Sequence, residues 1–130
     1  MLNTQEPKLR DFWYAVMPLS ELQSGPKQFI LLGEKIVLWL DQTGTPAALA
    51  DRCLHRSAEL SRGFVENGCI ICPYHAWAFG ASGACVHMPQ LAEGRAVPKT
   101  YQVPSFKCQE RYGYAEDRVR KDVDDWLKIF

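Results

Sequence analysis

Short apolar, β-branched or aromatic runs, broken at close intervals by glycine, proline, asparagine and aspartate, set the pattern of this chain. Asp11 to Met17, rich in aromatic residues and ending at Pro18, predicts a first strand, and Ser20-Glu21-Leu22 a single helical turn. Gln28 to Leu32 and Lys35 to Leu40, parted only by Gly33-Glu34, read as a hairpin. Asp41-Gln42-Thr43-Gly44 is the next turn, and Pro46 to Ala50 a further strand. Gly63-Phe64-Val65 and Cys69-Ile70-Ile71 flank Glu66-Asn67-Gly68, where Asn-Gly supplies the positive φ angles of a tight turn. Ala76 to Phe79 and Ala84 to Val86 enclose Gly80-Ala81-Ser82-Gly83 in the same way. Leu91 to Lys99 is an irregular connection, and Tyr101 to Val103 with Phe106 to Tyr114 complete the strands. Many short strands with closely spaced turns predict an all-β, antiparallel fold. The end differs: Asp122 to Phe130 reads as a short helix, acidic in its first turn, with Val123, Trp126, Leu127 and Phe130 on one stripe.

At 130 residues the chain is expected to form one domain with a single core. Formal charge cancels, which leaves no electrostatic footprint for nucleic acid and no polybasic membrane patch. No apolar run approaches membrane-spanning length, and Met1 to Pro7 has neither a basic nor an apolar leader segment. These features predict a cytoplasmic protein that meets neither nucleic acid nor membrane. Five cysteines in such a protein are thiols or ligands rather than a disulfide framework. Cys69, Cys85 and Cys108 lie among apolar or β-branched neighbours and read as small buried hydrophobes. Cys69 and Cys72 form a C-x-x-C, but an offset of three on one strand points the two to opposite faces, against a dithiol pair.

The candidate chemistry lies between Cys53 and His75. Cys53-Leu54-His55 and Cys72-Pro73-Tyr74-His75 put one thiolate and one imidazole in each of two short loops, four ligands able to converge on a small metal centre. Zinc accepts Cys₂His₂, and so does a [2Fe–2S] cluster with two Cys on one iron and two His on the other. The spacing C-x-H then C-x2-H lets each loop grip both irons, whereas a zinc finger more usually pairs its cysteines and its histidines separately.

Cys53-Leu54-His55-Arg56-Ser57-Ala58-Glu59-Leu60-Ser61-Arg62-Gly63 with Cys72-Pro73-Tyr74-His75-Ala76-Trp77-Ala78-Phe79 closely resembles the Rieske signature carried by Rieske non-haem iron oxygenases and Rieske-type ferredoxins. The resemblance extends to Phe12-Trp13-Tyr14-Ala15-Val16 and to Gly83-Ala84-Cys85-Val86-His87-Met88-Pro89-Gln90, and runs through about Tyr114. It implies several small stacked sheets with a two-loop cluster-binding subdomain over residues 1–115. Residues 116–130 form a tail expected to pack as a helix on that domain. It also implies a Rieske [2Fe–2S] cofactor held by Cys53, His55, Cys72 and His75. Two ferric ions, two sulfides, two thiolates and two neutral imidazoles sum to zero charge, so an electron is added more easily than to an all-thiolate cluster. Reduction makes the imidazoles more easily protonated, so electron transfer can couple to proton uptake.

Respiratory and photosynthetic members place a Ser two residues and a Tyr four residues after the last His ligand, and brace the loops with a disulfide. The corresponding residues here are Trp77 and Phe79, and Ala58 and Tyr74. The resemblance therefore implies a reduction potential toward the low end of the family's range of roughly −150 to +300 mV. Trp77 and Phe79 read as aromatic cover that excludes water, and His87 as a strand exit. Arg56 and Arg62 are either contacts for an acidic donor or solvated loop charges.

Rieske oxygenases activate O₂ at a separate iron held by two His and a carboxylate. With three histidines in all, two of them assigned to the cluster, this chain holds no such site alone. The expected function is one-electron transfer by a ferredoxin-like carrier, from a reductase to an oxygenase or similar acceptor. The alternative is the electron-input domain of an oxygenase whose catalytic iron is elsewhere. A third reading, from another class, is a zinc-stabilised binding module with no redox role.

Overall fold

The computed structural model describes residues 13–54, 58–92, 94–110 and 126–129. Its strands form three antiparallel sheets. The central sheet has the order β2-β3-β4-β9, from Lys27–Leu31, Glu34–Leu40, Pro46–Ala50 and Ser105–Phe106. The second, β5-β6-β7-β8, is built from Phe64–Glu66, Cys69–Ile71, Ala78–Phe79 and Cys85–His87. The third has the order β1-β11-β10, from Tyr14–Pro18, Trp126–Ile129 and Cys108–Glu110. A 3₁₀ turn over Leu19–Ser24 follows β1, where one helical turn was expected, and another over Leu60–Arg62 leads into β5. Among the described residues no helix is long and apolar enough to cross a membrane.

The unbroken apolar run of β3 is explained by burial on both faces. Successive side chains on a strand point to opposite sides. Val37 and Trp39, with Ala47 and Leu49 of β4, face the larger core, which also holds Leu60, Ile70, Phe79 and Val103. Ile36 and Leu38, with Ala48, face the other way onto Val16 and Leu22. The central sheet thus carries one core toward the second sheet and another toward the start of the chain.

Two hairpins, one in the central sheet and one in the second, close through residues with positive φ. The β2–β3 turn is Leu32-Gly33 (φ 51° and 82°), and Glu34 already pairs with Leu31, one residue earlier than the sequence suggested. Asn67-Gly68 (φ 52° and 78°) closes β5–β6 as expected, which matches the mirror-type turn that suits twisted strands. The Gly68 carbonyl accepts a hydrogen bond from Nε1 of the fully buried Trp39 at 2.9 Å, tying this hairpin tip to the central sheet.

The last expected strand breaks at Lys107. Ser105–Phe106 pairs with β4 and Cys108–Glu110 with β11, so the chain changes sheets there. The helix expected over Asp122 to Phe130 is corrected where the structure describes it: Phe130 lies outside the described residues, and Trp126–Ile129 is a strand. It lies between β1 and β10, with Tyr14 opposite Ile129 on one side and Cys108 opposite Ile129 on the other. Trp126, Leu127 and Ile129 are strand formers, and two open strand edges supply backbone partners that a helical stripe cannot use. Residues 111–125, which carry the rest of the expected tail, lie outside the described residues.

Candidate metal centre

The two candidate loops leave the sheets side by side, one after β4 and one after β6. They close alike: the Cys53 N–H donates to the Ala58 carbonyl at 2.7 Å, and the Cys72 N–H to the Trp77 carbonyl at 2.9 Å. Each bond ties a cysteine to the residue five positions later, at the point where its loop returns. In the second loop the Ala76 N–H also donates to the Cys72 carbonyl at 3.1 Å. Ala76 has φ 59°, a left-handed conformation that costs a residue with a Cβ about 1–2 kcal/mol.

Cys53 and Cys72 are each 1% exposed and belong to the same buried cluster, with Leu60, Ile70 and Phe79 beside them. Neither is in a disulfide. His75 is on the exposed side of its loop, its ring centroid 6.1 Å from that of Tyr74. His55 and Arg56 lie outside the described residues. Among the described residues no three His, Cys, Asp or Glu side chains gather as they would around a single ion. The donor set fits a [2Fe–2S] group: two thiols in the dry interior on one side, and an imidazole of the second loop at the surface on the other.

The remaining cysteines are of another kind. Burial pushes the thiols of Cys69 and Cys85 up, and that of Cys108 to about 12, away from the thiolate form that binds metal. Cys85 is buried as expected, whereas Cys69 and Cys108 are only half-buried. His87 ends β8 at the surface, in keeping with a strand exit. Phe79 is fully buried in the larger core, and Trp77 is half-buried against it. The Trp77 indole stacks on Tyr101 (centroids 5.9 Å apart, planes at 14°) and donates through Nε1 to Gln90 Oε1 at 3.0 Å.

One residue escaped the sequence reading. Asp51, two positions before Cys53, is 4% exposed yet carries a carboxylate. Its oxygens accept from Gln28 Nε2 (2.6 Å), the Ser61 N–H (2.7 Å) and the Ser61 hydroxyl (2.5 Å). The same Gln28 nitrogen donates to Glu59 at 2.7 Å, and Lys35 and Arg62 pair with Glu59 at 3.2 and 2.8 Å. Gln28, Lys35 and Arg62 hold the Glu59 carboxyl down at about 2. Arg62 therefore has a partner within the chain. The network clips both ends of the first loop, Asp51 before it and Glu59 and Ser61 after it, onto strand β2. The signal for it was a lone acid directly after the apolar run Pro46–Ala50. Asp51→Ala would leave the Ser61 and Gln28 donors without this acceptor. It should lower the unfolding free energy by roughly 2–3 kcal/mol in chemical denaturation, and an unchanged midpoint would remove Asp51 from this role.

The model of the Rieske [2Fe–2S] domain matches residues 12–107. Among curated proteins, an aminopyrrolnitrin oxygenase of Pseudomonas fluorescens is 34% identical over 82% of this chain and 31% of its own length. A methylxanthine N1-demethylase of Pseudomonas putida is 35% identical over 95% of this chain and 36% of its own. The crystal structure of apo dicamba monooxygenase matches with a TM-score of 0.76 at 34% identity, covering 92% of this chain and 33% of that one. The chain thus spans about a third of the length of each of these proteins. Two closed loops with their cysteines in one dry core, on sheets that superpose on such oxygenases, agree with the matched family model: this chain belongs to the Rieske [2Fe–2S] domain family.

Proposed function

We propose that Cys53 and Cys72 hold one iron of the Rieske cluster and His55 and His75 the other, and that the chain passes single electrons between protein partners. The observation that carries this reading is the split between the two fully buried cysteines and the exposed His75. The cluster supplies the one-electron redox chemistry. The chain's own residues do the rest. Cys53 and Cys72 exclude water from the inner side, while His75 presents an imidazole edge to a docking partner. Leu54 and Tyr74, 44% and 67% exposed at the loop tips, offer that partner an apolar footing.

The expected donor is a reductase and the expected acceptor an oxygenase or similar protein. A second reading is favoured by one finding: the matched relatives are oxygenases of which this chain spans about a third. On that reading the chain is the electron-input domain for a catalytic iron on another domain or chain. Electron transfer assayed against a reductase and against a separately supplied oxygenase catalytic domain discriminates the two. A cytoplasmic setting belongs to the same proposal, since the cysteines are unpaired, as thiols remain in a reducing compartment.

Metal and acid-labile sulfide analysis, with EPR before and after dithionite, tests the cluster itself. The expected result is ~2 irons and ~2 sulfides per chain with a Rieske-type signal on reduction, and one zinc without colour would overturn the redox reading. The reduction potential should fall below zero, toward the lower end of roughly −150 to +300 mV. The Trp77 N–H is directed to Gln90 and Phe79 has no donor, so neither supplies the hydroxyl that supports a reduced cluster in high-potential members. Voltammetry giving a potential well above zero would contradict this argument.

A further inference from the structure

Gln90 lies beyond strand β8, where the chain returns past the second loop. Its side chain makes two hydrogen bonds at once. Nε2 donates to the His75 carbonyl at 2.8 Å, and Oε1 accepts from Trp77 Nε1 at 3.0 Å. A carboxamide offers a donor and an acceptor side by side on one uncharged, planar group. The two bonded residues flank Ala76, the left-handed position of the loop, so the amide spans the point where the backbone most needs holding.

Gln90 is itself held in place. The Leu91 N–H donates to the Met88 carbonyl at 3.0 Å, closing a turn in which Pro89 takes the position that fixes φ. Met88 packs against the larger core, and the stack of Trp77 on Tyr101 holds the other end of the bridge. No disulfide joins the two loops. The bridge therefore joins the β8 exit, the second loop and the Tyr101 segment without any covalent link.

We propose that Gln90 is a positioning residue for the cluster. It locks the His75 carbonyl and the Trp77 indole into one frame, and so fixes the backbone from which the His75 imidazole reaches the metal. This rests on His75 being a ligand. Orienting groups behind a metal ligand commonly change metal affinity by 10–100-fold when removed, and here the orienting contact is made to the ligand's backbone.

The test uses the whole chain in its cluster-loaded form. Gln90→Leu removes both hydrogen bonds at similar volume. Gln90→Glu keeps an acceptor for Trp77 but loses the donor to His75. Trp77→Phe removes the indole N–H and keeps a ring over Tyr101. The readouts are the rate of iron release to a chelator, the EPR line positions and widths of the reduced cluster, and thermal unfolding of the apo-protein. Gln90→Leu and Gln90→Glu should both release iron about tenfold faster with broadened EPR lines, and apo-protein unfolding should move little, since Gln90 is exposed. Adding Trp77→Phe to Gln90→Leu should add little, because both act through one bridge. Gln90→Leu with wild-type EPR lines and iron release within twofold of wild type overturns the positioning role while leaving the ligand assignment standing. Faster release with unchanged EPR and a matching loss of apo-protein stability overturns it too. A His75→Ala control that retains the wild-type spectrum overturns the ligand assignment, and the inference with it.

Discussion

Cys72→Ser should purify colourless, with iron falling from ~2 per chain to a small fraction of that, and no Rieske signal after dithionite. A serine hydroxyl stays protonated at neutral pH where a thiol beside ferric iron ionises, so the inner iron loses an anionic ligand. The site adds a second cost. Cys72 is 1% exposed within the larger core, and a hydroxyl there without a partner costs about 1–3 kcal/mol. His75→Ala should lose the cluster as completely but change apo-protein stability little, because His75 lies on the exposed side of its loop. The contrast between the two variants separates a ligand that is also core from one that is not. Either variant keeping the full wild-type spectrum would strike that residue from the ligand set.

Gly63→Ala should be among the most damaging changes outside the ligands. Gly63 ends the 3₁₀ turn that follows the first loop, with its N–H on the Leu60 carbonyl at 2.9 Å. A Cβ on it would run into the carbonyl oxygen of Ile71, the residue directly before Cys72. That neighbour is backbone in a paired strand and does not yield as a side-chain tip would. The first loop's return and the second loop's departure must then move apart, which costs about 3 kcal/mol and spreads the two cysteines. The expected outcome is a lowered denaturation midpoint together with substoichiometric iron. A Gly63→Ala protein that loads fully and unfolds like wild type would show that the two segments are not in fixed register.

The hairpins and both loops were legible because their signals are local. Asn67-Gly68 announces a turn by chemistry that two residues carry alone, and the spacing of Cys53, His55, Cys72 and His75 lies within one stretch of chain. What escaped depended on distant partners. Trp126–Ile129 carries an apolar spacing that suits a helix, but its conformation is set by pairing with Tyr14–Pro18 and Cys108–Glu110, contacts that no window around residue 126 contains. Asp51 carries no local signal of its role because its partners Gln28 and Ser61 lie far from it in sequence. Gln90 entered as one letter of a familiar motif, and its two bonds become visible only once β7 and β8 lie side by side. Half-burial of Cys69 and Cys108 was hidden for a related reason, since apolar neighbours in sequence need not cover a side chain in space.

The two-sided burial of strand β3 bears on how the protein responds to losing iron. The core formed by Val16, Leu22, Ile36, Leu38 and Ala48 contains no residue of either loop. Its packing therefore asks nothing of the cluster ligands. Iron loss should accordingly loosen the loop end of the molecule while the side of the central sheet that holds Val16 and Leu38 keeps its hydrogen-exchange protection.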